Sequence, residues 1–172
     1  MSSHSLARGR YLELLCEDGW EYARRVNART TVGVVALTPA DELLLVEQQR
    51  RPVAARVIEL PAGLVGDEGD ADEDLCAAAA RELLEETGWR PARCRPLMVG
   101  PSSAGLTDEC CHLILACDLV QEGTGGGVGS ERITVHAIAR SDLPQWLDAQ
   151  RATGHLIDFK IYAALWWLAS NP

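Results

Sequence analysis

The spacing of apolar and polar positions changes several times along the chain. Residues 11–16, 20–26, 31–37 and 43–48 are short runs rich in β-branched, aromatic or alternating apolar residues, which predicts strands. Cys16-Glu-Asp-Gly-Trp20 and Thr38-Pro-Ala-Asp41 supply turns between them. Residues 57–60 form another short strand, ended by Pro61 and Gly63. Over residues 73–87 the period becomes helical, with an Ala-rich middle and Gly88 where a helix stop belongs. Residues 97–100, 111–118 and 133–139 return to strand, and residues 141–150 and 158–168 predict two closing helices. Strands and helices mixed in this order predict an α+β domain with layered α/β/α packing.

Two connections stand out by composition. Residues 66–72 make an acidic turn ahead of the central helix, and residues 121–130 are a glycine-rich link between two strands. The second lacks the Gly-Lys-Ser/Thr ending of a phosphate cradle and leads into a strand, so it is read as a mobile flap.

The chain has 172 residues, the size of one ordinary domain, and 47% of them are hydrophobic, enough for a core. Sixteen Lys and Arg against 25 Asp and Glu leave a net charge of −9. With no basic block, duplex nucleic acid is excluded as a partner, whereas a small anion stays possible where Arg or a divalent cation cancels charge locally. No apolar run approaches the 18 or so residues that span a bilayer, and the N-terminus lacks a signal-peptide stretch. The expectation is a cytoplasmic protein without a membrane partner. Six cysteines include no CxxC pair and no zinc-like spacing with His, which reads as reduced small hydrophobes.

The chemistry concentrates in Arg81-Glu-Leu-Leu-Glu-Glu-Thr-Gly-Trp89. On a helix, Glu82, Glu85 and Glu86 fall within about 100° of one another, on the side that carries Leu75, Ala78 and Ala79. They crowd a helix C-terminus, where the dipole disfavours each anion by about 0.3–1 kcal/mol. One reading is a solvated acidic face softened by Arg81. The other is a divalent-cation site, because a hard ion such as Mg²⁺ prefers oxygen ligands and offsets both the repulsion and the dipole.

With its neighbours this segment resembles the Nudix box: seven residues separate Glu73 from Arg81, and the second half matches throughout, ending on Trp89. The pattern's glycine, six before Glu73, would fall at Asp67, whereas the glycine after Pro61 and Ala62 is Gly63, so the loop to Glu73 holds four extra residues. Trp20-Glu-Tyr22, Val46-Glu-Gln-Gln-Arg50, Glu59-Leu-Pro-Ala-Gly63, Thr107-Asp-Glu109 and Asp158-Phe-Lys-Ile-Tyr162 resemble the ADP-ribose pyrophosphatase branch of that family. The resemblance implies an α/β/α sandwich with a mixed sheet, residues 31–172 as catalytic domain, and residues 1–30 as antiparallel strands that form a homodimer. It also implies Mg²⁺-dependent hydrolysis, with Mn²⁺ as a substitute, of a nucleoside-diphosphate sugar such as ADP-ribose. The branch's marker proline falls at Ala104, so other substrates such as GDP-mannose, or a dinucleotide, stay open. A non-catalytic nucleotide sensor is the reading from a different class.

By the same resemblance Glu82 and Glu86 are metal ligands with Glu85 beside them, the Ala62 carbonyl completes the set, and Arg81 orients the glutamates. The general base is Glu131, after the glycine-rich stretch, with Glu122 as runner-up and a box glutamate such as Glu85 as the remaining choice. Glu59 belongs to the substrate site. Trp20 and Tyr22 suit stacking on a nucleobase, or packing at a dimer interface, and the forked donors of Arg50 and Arg51 suit phosphates. His112 and His136 read as structural.

Overall fold

The computed structural model describes residues 3–28, 30–66, 72–129 and 131–171. Residues 67–71 of the acidic turn lie outside the described residues. Among those described, the first three strands, β1 (Ser3–Arg8), β2 (Leu12–Glu17) and β3 (Trp20–Arg25), form an antiparallel sheet of their own. Polar and small residues make up most of β1 and all six of its positions are exposed, so it carries no apolar pattern for a sequence reading to find.

The remaining strands are β4 (Thr30–Ala36), β5 (Glu42–Arg50), β6 (Ala55–Glu59), β7 (Ala62–Leu64), β8 (Trp89–Pro101), β9 (Cys110–Gln121), β10 (Thr134–Ala139) and β11 (Leu156–Ile157). They form two four-stranded sheets in the orders β10-β5-β6-β11 and β7-β4-β9-β8. Each sheet is mixed: β4 runs parallel to β9, β11 runs parallel to β6, and the other pairs are antiparallel. The expected mixed sheet is thus divided in two, joined across the turn at residues 38–41 by the bridge between Leu37 and Leu43.

The helices are α1 (Leu75–Thr87), α2 (Leu143–Ala152) and α3 (Lys160–Ser170). Alternation along the central strands decides which helix each side chain meets. Val32, Val34 and Ala36 of β4, with Leu44 of β5, pack against Ala78, Ala79 and Leu83 of α1. Val35, Leu43 and Leu45 point the other way, toward Leu143, Leu147, Ile161 and Ala164 of α2 and α3. Strands covered on both faces read as continuous apolar runs, and the result is the layered sandwich.

Helix α1 starts two residues later than its periodicity suggests. The side chain of Asp74 accepts the N–H groups of Cys76 and Ala77 at 2.8 and 3.2 Å, which makes it the N-cap. Strand β8 is much longer than expected, because Pro91, Pro96 and the arginines between them hide the pattern. It lies at a sheet edge, where proline and charge are tolerated. The N-terminal sheet is tied to the β8–β9 connection: Ala23 N–H donates to Leu106 O at 2.8 Å, Arg24 pairs with Asp108 at 2.6 Å, and Arg25 pairs with Glu109.

Candidate active site

The last two turns of α1 lie against β7 and carry Glu82 and Glu86 inward, only 9% and 5% exposed. β7 is a three-residue strand that the turn chemistry of Pro61 and Gly63 concealed. Pairing Val32 with Gly63 and Gly33 with Ala62 holds it on β4. Gly63 lies directly against Glu82: a Cβ there would fall 1.8 Å from Glu82 Cδ, so a side chain at this position would displace the carboxylate. The neighbouring Ala62 N–H donates to Glu86 Oε2 at 3.0 Å. A small-residue turn is therefore the floor beneath both carboxylates.

Arg81 ties the start of the box to its middle. Its Nε and Nη2 reach Glu73 Oε1 and Oε2 at 3.1 and 3.2 Å, Nη1 reaches Glu82 Oε1 at 2.8 Å, and Nη2 donates to Leu64 O at 3.0 Å. Glu85 Oε2 lies 3.7 Å from Nη1. Glu73 also accepts the Gly66 N–H at 2.8 Å, and its bonds with Arg81 hold its carboxyl below the ordinary carboxylate range. Those same bonds raise the Arg81 guanidinium further, so the residue is a permanent cation in the scaffold.

Glu86 is in the opposite electrostatic position. Burial pushes its carboxyl up to about 8, and the charges of Glu82 and Glu131 add to this against the Ala62 N–H and Arg50. A carboxylate this poorly compensated suits a divalent cation, and Glu82, Glu85 and Glu86 offer the all-oxygen donor set that a hard ion takes. Among the described residues no three His, Cys, Asp or Glu side chains are already gathered to hold an ion. One Glu82 oxygen, Oε1, is engaged by Arg81 Nη1.

The expected catalytic and substrate residues are only partly brought together. Glu131 is exposed, accepts the Val128 N–H at 3.0 Å, and stands close enough for its charge to be felt at Glu86. Glu122 pairs instead with Arg90 at 2.8 Å on the surface. Arg50 and Glu59 form a two-pronged pair at 2.7 and 3.1 Å, and the Arg50 charge also reaches Glu86. Arg51 is exposed at the start of the 3-10 turn Arg51–Val53. Trp20, 63% exposed, and Tyr22 sit on β3 in the N-terminal sheet, away from the elements that carry the carboxylates. Tyr22 engages Glu17 and Arg24 at 3.5 and 3.1 Å. His136, read as structural, contacts Glu47 on β5 at 2.9 Å.

The glycine-rich connection corrects one expectation. It is docked rather than free: the Gly126 and Gly127 N–H groups donate to Glu86 O and Glu85 O at 2.8 and 3.1 Å, and those of Glu122 and Gly123 donate to Gly88 O at 2.8 and 3.1 Å. Carbonyls at a helix C-terminus lack partners within the helix, and this loop supplies them. Composition alone shows the freedom of a glycine run but not the surface it settles on.

A family model, NUDIX domain, matches residues 27–164. The chain belongs to the NUDIX domain family. It is 34% identical over 125 residues to an ADP-ribose pyrophosphatase of Bacillus subtilis (strain 168), covering 69% of this chain and 65% of that one. To the methanol dehydrogenase activator of Bacillus methanolicus it is 33% identical over 100 residues, 58% of this chain and 52% of the other. The matched region thus spans less than two thirds of either relative. A crystal structure of an ADP compounds hydrolase superposes with a TM-score of 0.66 at 18% identity, covering 90% of this chain and 94% of that one, which establishes a shared fold. The NUDIX match takes in the box, the Pro61-Ala-Gly63 turn, the glycine-rich connection and Glu131, and it leaves all three strands of the N-terminal sheet outside.

Proposed function

We propose that this NUDIX-domain protein hydrolyses the diphosphate linkage of a nucleoside diphosphate joined to a sugar, with ADP-ribose as substrate and AMP and ribose 5-phosphate as products. The observation that carries the reading is the pair of buried carboxylates, Glu82 and Glu86, set at the end of the box helix over the Pro61-Ala-Gly63 turn. Relatives named ADP-ribose pyrophosphatase support the choice of substrate. A divalent ion, Mg²⁺ first, when held by Glu82, Glu85, Glu86 and the Ala62 carbonyl, neutralises phosphate charge and lowers the pKa of water.

The chain's own residues divide the remaining work. Glu131 takes the proton from the attacking water as the new O–P bond forms and the bridging P–O bond breaks. Arg81 keeps Glu82 and Glu85 in place through contacts that run back to Glu73 and Leu64. Arg50, already oriented by Glu59, supplies a forked donor to the diphosphate, and Arg51 lies next to it in the chain. Residues 1–30 would join two copies, bringing Trp20 and Tyr22 either to an interface or to the nucleobase.

Ala104, in the exposed turn where the branch carries proline, favours a broader reading in which other nucleoside-diphosphate sugars are also cleaved. A panel of such sugars, dinucleotides and nucleoside triphosphates, assayed with Mg²⁺ and with Mn²⁺ and analysed for products, separates these readings. ADP-ribose is expected to give AMP and ribose 5-phosphate. Turnover of triphosphates alone would overturn the proposal.

A further inference from the structure

The docked glycine-rich loop does more than cap a helix. Gly126 and Gly127 donate their N–H groups to the backbone carbonyls of Glu86 and Glu85, two of the three box glutamates. Beyond this anchor the chain folds back: the Ile133 N–H donates to Gly126 O at 3.3 Å, and the Glu131 carboxylate accepts the Val128 N–H at 3.0 Å. Glu131 lies so close over Gly127 that a Cβ on Gly127 would come within 2.8 Å of Glu131 Cβ. With the Glu131 N–H donating to Val128 O at 3.2 Å, a series of contacts runs from the box helix to Glu131.

Gly125 is the loop residue whose Cα sits tightest against the backbone of α1, as Gly88 of the helix cap sits against Gly123 O. It has φ +64°, and a Cβ there would lie 2.4 Å from both Glu86 O and Thr87 C, which are backbone atoms that cannot rotate away. We propose that Gly125 is a positioning residue: by letting the loop seat directly on the last turn of α1, it sets the separation between Glu131 and Glu86. The proposal rests on Glu131 being the general base. A side chain at 125 would lift the loop off the helix, and Glu131 would move with it.

Gly129 provides an internal control. Its φ of +63° is nearly the same, yet nothing lies within 4 Å of its Cβ position. Alanine at either site meets a similar left-handed backbone penalty, so a difference between the two reports the close approach at Gly125 alone. Gly125→Ala is expected to lower kcat on ADP-ribose about 10²-fold, the cost of misplacing a catalytic group by about an ångström. KM should stay within about twofold, since the lost interaction belongs to the transition state. Gly129→Ala should stay within about threefold of wild type in kcat.

Two further measurements separate positioning from general damage. In a Glu131→Gln background, Gly125→Ala should have little additional effect on kcat, because both changes remove the same contribution. Hydrogen exchange on the metal-free protein should show the Gly126 and Gly127 amides protected in wild type and Gly129→Ala, and unprotected in Gly125→Ala. If Gly125→Ala fails to fold, inserting one glycine between Val128 and Gly129 leaves the anchor intact and should produce the same loss of kcat. Multiplicative effects of Gly125→Ala and Glu131→Gln, wild-type kcat in Gly125→Ala or in the insertion, or unprotected amides in wild type would each overturn the positioning role. Wild-type kcat in Glu131→Gln alone would overturn the base assignment, and this proposal with it.

Discussion

The backbone N–H of Ala62 donates to Glu86 Oε2 at 3.0 Å, joining a three-residue strand to the last turn of the box helix. One oxygen of the most deeply buried box carboxylate is thereby held by a neutral donor. A neutral donor lowers the cost of burying the charge without cancelling it, and burial still pushes the Glu86 carboxyl up to about 8.

This makes the metal-free fold a better proton binder at Glu86 than the unfolded chain, whose carboxyl has the ordinary value of 4.5. The sign follows directly: the stability contribution of the protonated group is complete below about 4.5 and declines as pH rises toward about 8. In a chelator, thermal unfolding of wild type should weaken over that window, whereas Glu86→Gln should lack the slope and melt higher at its alkaline end. With Mg²⁺ present the same variant should lose about 10²- to 10³-fold in kcat. Near-normal turnover would remove Glu86 from the metal set.

Glu131→Gln should lower kcat by about 10² to 10⁴ with little change in KM or in metal affinity, the usual contribution of a general base. Glu122→Gln should leave kcat within about twofold of wild type, because that side chain is engaged with Arg90 on the surface. Steady-state kinetics on the two single variants tests both statements. A loss of binding rather than rate at Glu131 would reassign it as a ligand.

On the opposite face of its sheet, Glu47 holds three elements together. His136 Nε2 lies 2.9 Å from one oxygen, His155 Nε2 lies 3.2 Å from the other, and Arg56 pairs with the same group. Burial would raise this carboxyl, but the two histidines and Arg56 together outweigh it and hold it below the ordinary range. The resulting stabilisation is present above that range and is lost as pH falls through it. Glu47→Gln should cost about 2 kcal/mol by denaturant unfolding at neutral pH, a difference that shrinks in acid.

The N-terminal sheet and its first turn expose Leu6, Tyr11, Leu12, Leu14 and Trp20, apolar side chains that a second copy could cover. We predict a homodimer at micromolar concentration, measurable by light scattering. Leu12→Glu should shift it toward monomer without altering the fold of the NUDIX domain. A strictly monomeric wild type would refute the assignment.

The helical period over residues 73–87, the crowding of three glutamates at its end and the match to the Nudix box were all legible in the order of residues, because a motif on one helix is a local pattern. The layered α/β/α arrangement was legible too, since continuous apolar runs such as residues 31–37 fit strands covered on both faces. Strand β1 and most of β8 were not. Edge and surface strands need no apolar alternation, and what makes them strands is a hydrogen-bonded neighbour found elsewhere in the chain.

At the site the division is similar. Sequence by itself determined which residues could bind a cation: Glu82, Glu85 and Glu86 share a helix face in any fold that keeps the helix. Only the tertiary structure decided that Gly63 lies directly under the Glu82 carboxylate, that Glu122 is spent on Arg90 while the Glu131 charge is felt at Glu86, and that the glycine run is seated on the end of α1. Each of these depends on a contact between segments 20 to 45 or so residues apart in the chain, and a distance across such a gap is set by packing rather than by any local preference of the residues that meet.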